Sequence, residues 1–133
     1  MPHLIVEYSA NLEERLDVGA LVNAVHDASI ATGAFDLKAI RTRAERRDVY
    51  TLANGDPENA FVMVTVRILR GRDEATRRRL GEAMFGALRR HLQPVADLSP
   101  LAISLEVQEI DPVSFAFNTL RATGPDATTR AED

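Results

Sequence analysis

The stretch "AFVMVTVRILRG", residues 60–71, predicts how the second half of the chain is built. Apolar and mostly β-branched residues occupy every second position, which is typical of a half-buried strand: Val62, Val64, Val66 and Ile68. An amphipathic helix is predicted next, from a cap at Asp73 to about Leu92, with Pro94 just beyond its end. Residues 100–111 alternate again and predict a further strand, so this half forms one β-α-β unit.

The first half of the chain has the same order of elements. Residues 2–8, "PHLIVEY", alternate as a strand, Asp17 can cap a helix that runs to about Ile30, and residues 38–53 predict a strand with a charged face. Crossovers of this length make the strands of each unit parallel. We therefore predict an α+β fold, in which two consecutive β-α-β units form a four-stranded sheet with two helices on one face. Because the other face also carries apolar residues, we expect several copies of the chain to pack together.

The bulk composition narrows the class of protein. The 133 residues carry a net charge of −4 and include no cysteine, which excludes disulfides, thiolate nucleophiles and cysteine-ligated metals. There is no apolar run long enough for a membrane span and no signal peptide, so we expect a soluble cytoplasmic protein. We predict a single domain over residues 1–121 and a disordered tail over residues 122–133, which are small and polar.

Pro2 is the first candidate for a chemical role. Initiator methionine is usually removed before a small residue, and removal here would leave a secondary amine at the front of the first strand. An ordinary α-amino group has a pKa of roughly 7.7–8.0. Burial beside cations would lower that pKa towards neutrality, where a general base works best. The alternative is that Pro2 only protects the terminus or suits an edge strand.

Arginines are concentrated in the middle of the chain, where twelve of the fifteen lie between residues 41 and 90. We expect most of them to be solvated or paired on helix faces. Arg41 opens the second predicted strand, and Arg72 follows the third and precedes a helix N-terminus, where anions are favoured. Guanidinium groups bind carboxylates bidentately. An amine base beside these arginines therefore suits a small dicarboxylate substrate whose C–H proton is moved.

Four segments together resemble the 5-carboxymethyl-2-hydroxymuconate isomerase family of the tautomerase superfamily: "PHLIVEYS", "ATGAFDLKAIRTR", "GRDEATRRRLGEAMF" and "SLEVQEIDP". The resemblance spans roughly residues 2–120 and implies a homotrimeric enzyme without a cofactor. It also implies that Pro2 is the catalytic base and that Arg41 and Arg72 bind the substrate carboxylates. Arg43 lies two residues further along the same strand face and is a further candidate for substrate binding.

The activity implied by this resemblance is the conversion of 5-carboxymethyl-2-hydroxymuconate to its 2-oxo isomer, a step of homoprotocatechuate (4-hydroxyphenylacetate) breakdown. Ala60 stands roughly where Pro2 stands in the first half, so we expect one site per chain. The segment "SFAFNTLR" departs from the family pattern.

Other functions are compatible with the same residues. One is another tautomerase-superfamily reaction on an unsaturated dicarboxylate, and another is a trimeric binding protein of the same fold without catalysis. A nucleic-acid-binding role is disfavoured by the acidic total and by the few aromatic residues. His3, His26 and His91 are isolated from one another and from carboxylates at ligand spacing, so no metal site is predicted.

Overall fold

The chain was analysed as a computed structural model, which describes residues 1–123. The predicted tail at 122–133 therefore lies outside the described residues from residue 124 onwards. Strands and α-helices follow one another in the order β1 (His3–Ser9), α1 (Val18–Ala31), β2 (Arg41–Arg47), β3 (Ala60–Ile68), α2 (Glu74–Ala96) and β4 (Leu101–Glu109). Short 3-10 helices lie at Ala10–Glu14 and Leu37–Ala39.

The four strands form one mixed sheet in the order β2-β1-β3-β4. The two strands of each β-α-β unit pair in parallel, whereas β1 and β3 pair antiparallel in the centre. This arrangement confirms the predicted α+β fold. Because β1 and β3 run in opposite directions, His3 lies between Arg41 of β2 and Arg67 of β3. We call this end of the sheet the Pro2 end.

The hydrophobic core lies between the sheet and the two helices. In the two central strands, every second residue is buried: Leu4, Val6, Tyr8, Val62, Val64, Val66 and Ile68. In α2 the buried residues form the predicted stripe: Leu80, Met84, Leu88 and Leu92. From α1, Leu21 and Val25 reach the same core. Burying a side chain of this size stabilises the fold by roughly 1.5–3 kcal/mol.

The connection from α1 to β2 shapes the Pro2 end. The helix stops near the predicted residue, and Gly33 follows with φ of +68°, a conformation that favours glycine. The Gly33 N–H donates to the carbonyl of Ile30 at 3.1 Å. The chain then turns towards the start of β2, which places Ala34, Phe35 and Asp36 beside the Pro2 end.

The prediction for the end of α2 was wrong, because Pro94 lies inside the helix and not beyond it. Proline disrupts a helix by lacking an N–H, but here it affects only the last turn. That turn is retained because the Asp97 N–H donates to the carbonyl of Gln93 at 2.9 Å and Val95 packs against the core. β2 is also shorter than predicted, since residues 37–39 form a 3-10 turn before it.

The second face of the sheet is not covered by a helix of the described residues. Ile5, Phe61 and Met63 lie there half-exposed among charged side chains.

In the described residues 1–123, no helix combines the length and the apolar character that crossing a membrane requires.

Truncation of Leu92 tests the assignment of the core. Leu92 is fully buried, so Leu92→Ala should lower the free energy of unfolding by about 2–5 kcal/mol through lost burial and a cavity. Arg89 lies exposed on the same helix, and Arg89→Ala should change the free energy of unfolding by no more than about 0.5 kcal/mol. Chemical denaturation at one protein concentration measures both values, and equal effects would contradict this core.

Candidate active site

Pairing between β1 and β2 places Pro2 at the start of the sheet. Pro2 is buried, and its carbonyl accepts a hydrogen bond of 3.1 Å from the backbone N–H of Arg41. This bond extends the parallel pairing by one residue, because His3 is already in register with Arg41. A proline fits this position since it has no N–H that would need a partner. Met1 precedes it in the structure, so the Pro2 nitrogen becomes an amine only when Met1 is removed.

The surroundings of the chain terminus disfavour a positive charge. Burial, and next the guanidinium group of Arg41, lower the pKa of the Met1 amine below its usual value, while the carboxylate of Asp36 opposes them. A terminal amine on Pro2 would lie one residue deeper beside the same groups. Its charged form would therefore be disfavoured by desolvation and by like charge.

Arg41 and Arg43 extend from alternate positions of the edge strand β2 and so lie on one face of it. The Arg41 guanidinium makes no hydrogen bond or ion pair with any group of residues 1–123. Arg43, in contrast, has its Nη1 atom 3.1 Å from Nδ1 of His3. Both arginines border an open depression of about 360 Å³ between α1 and β2. Its other lining residues are Val22, Asn23, His26, Ile40, Thr42 and Leu120.

Arg72 reaches the same region from the other β-α-β unit. It lies between the end of β3 and the cap of α2, and its Nη2 donates to the Ala34 carbonyl at 2.9 Å. The guanidinium carbon also lies 5.2 Å from the centre of the Phe35 ring, a cation–π distance. These contacts fix Arg72 against the loop that precedes β2. Its remaining donors are available to an anion.

The N-terminus of α2 is capped by the side chain of Asp73, whereas the sequence led us to expect that it favours a bound anion. The Asp73 side chain accepts a hydrogen bond of 2.8 Å from the Thr76 N–H. Hydrogen bonds from Thr76 lower the pKa of Asp73, so its carboxylate remains ionised as the cap. Any anion at Arg72 is therefore held by the arginine and not by the helix terminus.

Phe35 and Asp36, near the Pro2 end, were not singled out by the sequence analysis. Phe35 and Asp36 follow the helix stop at Gly33, but their contacts depend on a loop path that no periodicity reveals. His26 lies with Nδ1 2.7 Å from Thr42 Oγ1, because α1 packs against β2. In residues 1–123, His, Asp and Glu side chains nowhere cluster in threes that could hold a metal ion.

Comparison with known proteins identifies relatives over nearly the whole chain. The family model described as 5-carboxymethyl-2-hydroxymuconate isomerase matches residues 2–123. The 5-carboxymethyl-2-hydroxymuconate Delta-isomerase of Escherichia coli is 35% identical over 123 residues, which cover 92% of this chain and 98% of the relative.

Solved structures show the same relationship. A 5-carboxymethyl-2-hydroxymuconate isomerase from Deinococcus radiodurans R1 is 30% identical, with a TM-score of 0.81 over 89% of this chain and 90% of the other. A fused wild-type 4-OT protein in a symmetric trimer is 18% identical, with a TM-score of 0.60 over 90% and 94% of the two chains, and shows the shared fold alone. These likenesses confirm the tautomerase-like fold and the predicted family. The chain is a member of the 5-carboxymethyl-2-hydroxymuconate isomerase family.

Proposed function

We propose that the protein is a 5-carboxymethyl-2-hydroxymuconate Δ-isomerase, acting in homoprotocatechuate breakdown. The observation that carries this proposal is the family match over residues 2–123, with Pro2 buried at the front of β1 and bonded to the backbone of Arg41. The compound named in the family carries three carboxylates, two on the muconate chain and one on the carboxymethyl arm. That is one more than the dicarboxylate class predicted from the two arginines.

Catalysis begins with a neutral amine. Once Met1 is removed, the Pro2 nitrogen takes the proton of the 2-hydroxyl group, which leaves a dienolate. The same nitrogen then returns a proton to the far carbon of the diene, so the double bonds shift and the 2-oxo isomer forms. No atom is gained or lost, and the base is regenerated. A positioned acid–base group of this kind accelerates a reaction by typically ~10²–10⁴.

Arg41 and Arg72 act on the negative charge of the substrate. In this proposal they bind carboxylates and stabilise the dienolate as charge moves onto oxygen. Arg41 is suited to this role because its guanidinium has no partner within residues 1–123 and lies near the chain terminus. Arg72 is suited because Ala34 and Phe35 hold it in one orientation before substrate binds.

The cytoplasmic location of the protein stays a prediction.

The active protein is proposed to be a homotrimer. Two features of the described residues support assembly. Ile5, Phe61 and Met63 lie on the uncovered face of the sheet. Beyond β4, the residues Phe115 and Phe117 are 91% and 92% exposed. Large apolar groups in such positions are typical of surfaces that contact another subunit.

The Pro2→Ala variant tests the base. Its methionine should still be removed, but the remaining primary amine is no longer fixed by a ring, so kcat should fall by up to about 10²–10⁴-fold. The ultraviolet absorbance of the conjugated oxo product measures the rate. Native mass spectrometry should show the same three-chain assembly in the variant as in the parent protein. Equal activity of the two proteins would contradict the role of Pro2.

Substitution of Arg72 tests the anchoring of substrate. Arg72→Ala should lower kcat/KM by about tenfold to a hundredfold, because a charged hydrogen-bond donor is lost. Arg72→Lys should recover only part of this loss, since an ammonium group cannot bind a carboxylate bidentately. Arg89→Ala serves as the matched control, because Arg89 is exposed on α2 away from the Pro2 end. Unchanged kinetics of Arg72→Ala would remove Arg72 from the site.

A further inference from the structure

Three arginines and one histidine converge on the uncovered face of the sheet at the Pro2 end. Arg41, His3 and Arg67 are in register across β2, β1 and β3, so their side chains leave the sheet on the same side. Neighbouring strands lie about 4.8 Å apart. Arg43 lies two residues along β2 and reaches back to His3 at 3.1 Å. We call these four residues the open-face cluster.

No carboxylate within residues 1–123 forms an ion pair with the open-face cluster. Five arginines elsewhere in this range are paired with Asp or Glu at 2.6–3.1 Å: Arg15, Arg46, Arg47, Arg77 and Arg78. Other arginines without an acidic partner, such as Arg70, Arg89 and Arg90, are exposed, whereas Arg41 and Arg67 are partly buried. No such ion pair involves Arg41, Arg43 or Arg67 in the described part of the chain. Of the acidic residues on this face, Glu7 and Glu45 bind Arg47, and Glu106 of β4, on the strand next to Arg67, accepts a hydrogen bond of 2.8 Å from Gln108 Nε2. Like charges at neighbouring strand positions destabilise a sheet, so the cluster suits an anionic ligand.

His3 has a defined protonation state within this cluster. Arginine can only donate hydrogen bonds, so the His3 Nδ1 that faces Arg43 must accept one. The proton of the neutral ring therefore lies on Nε2. Burial, and then Arg43, Arg41, Arg67 and the terminal amine, lower the pKa of His3, which keeps the ring neutral near pH 7. His3 therefore separates the guanidinium groups, and its Nε2–H is one more hydrogen-bond donor.

We propose that His3, Arg43 and Arg67 bind the carboxylate of the substrate's carboxymethyl arm, beside the carboxylates assigned to Arg41 and Arg72. This inference rests on the proposed function, and it supplies a partner for the third carboxylate. The Pro2 nitrogen is a backbone atom at the end of β1, and His3 is the adjacent residue. A substrate at that nitrogen can thus extend its arm to the Pro2 end of the open face, whereas the subunit contact proposed above involves Ile5, Phe61 and Met63 further along the strands. The cluster is then a specificity determinant that favours a three-carboxylate substrate over a two-carboxylate one.

Two substrates that differ only in this arm test the proposal. We would measure kcat/KM for 5-carboxymethyl-2-hydroxymuconate and for 2-hydroxymuconate, and compare their ratio in the parent protein and in Arg67→Gln and Arg43→Gln. Effects on folding or on the chemical step cancel in this ratio. The ratio should fall about tenfold to a hundredfold in each variant, as expected for loss of a charged hydrogen bond to the arm. Arg67→Lys should restore part of it.

The control and the opposing outcomes are equally specific. Arg89→Gln removes the same charge from an exposed site on α2 and should leave the ratio unchanged. A ratio that stays constant in Arg67→Gln and Arg43→Gln overturns the proposal. The proposal is also overturned if the rates with the two substrates fall by the same factor and native mass spectrometry shows that the assembly dissociates. That case would mean that the cluster pairs with another subunit. A parent protein that isomerises neither substrate contradicts the proposed function instead.

Discussion

Parallel pairing of β1 with β2 is the constraint on which the proposed active site depends. It holds the Pro2 carbonyl against the Arg41 N–H and buries Pro2 at the end of the sheet. A terminal amine in that place would lie in buried surroundings beside the guanidinium group of Arg41. Both effects disfavour its protonated form. In the proposed mechanism, the same pairing that completes the sheet therefore makes the nitrogen a usable base once Met1 is removed.

Ion pairing and burial together distinguish the arginines that link elements of the fold from those proposed to bind substrate. Arg46, Arg47 and Arg77 are bonded to carboxylates at the sheet surface and between α2 and β4, where they link elements of the fold. Arg41 and Arg67 have no acidic partner in the described range, although both are partly buried. In the proposed function, this positive region in a chain of net charge −4 attracts small anions to the Pro2 end.

The sequence predicted those parts of the molecule that depend on periodicity. The alternation of residues 60–68 and the stripe on α2 both report one-sided burial, and the structure confirms them. The end of α2 was missed because packing of Val95 outweighs the effect of Pro94 in a terminal turn. The open-face cluster was not predictable, since the register that aligns residues 3, 41 and 67 arises only from the order of strands. The same holds for the stacking of Arg72 on Phe35.

Titration of the Pro2 nitrogen tests the central claim most directly. The protein would be labelled with ¹⁵N-proline, its mass would be measured to establish removal of Met1, and the chemical shift of the terminal nitrogen would be followed with pH. We predict a processed chain whose Pro2 amine has a pKa below the ordinary α-amino range of roughly 7.7–8.0. A chain that retains Met1, or an amine that titrates within or above that range, would contradict the account.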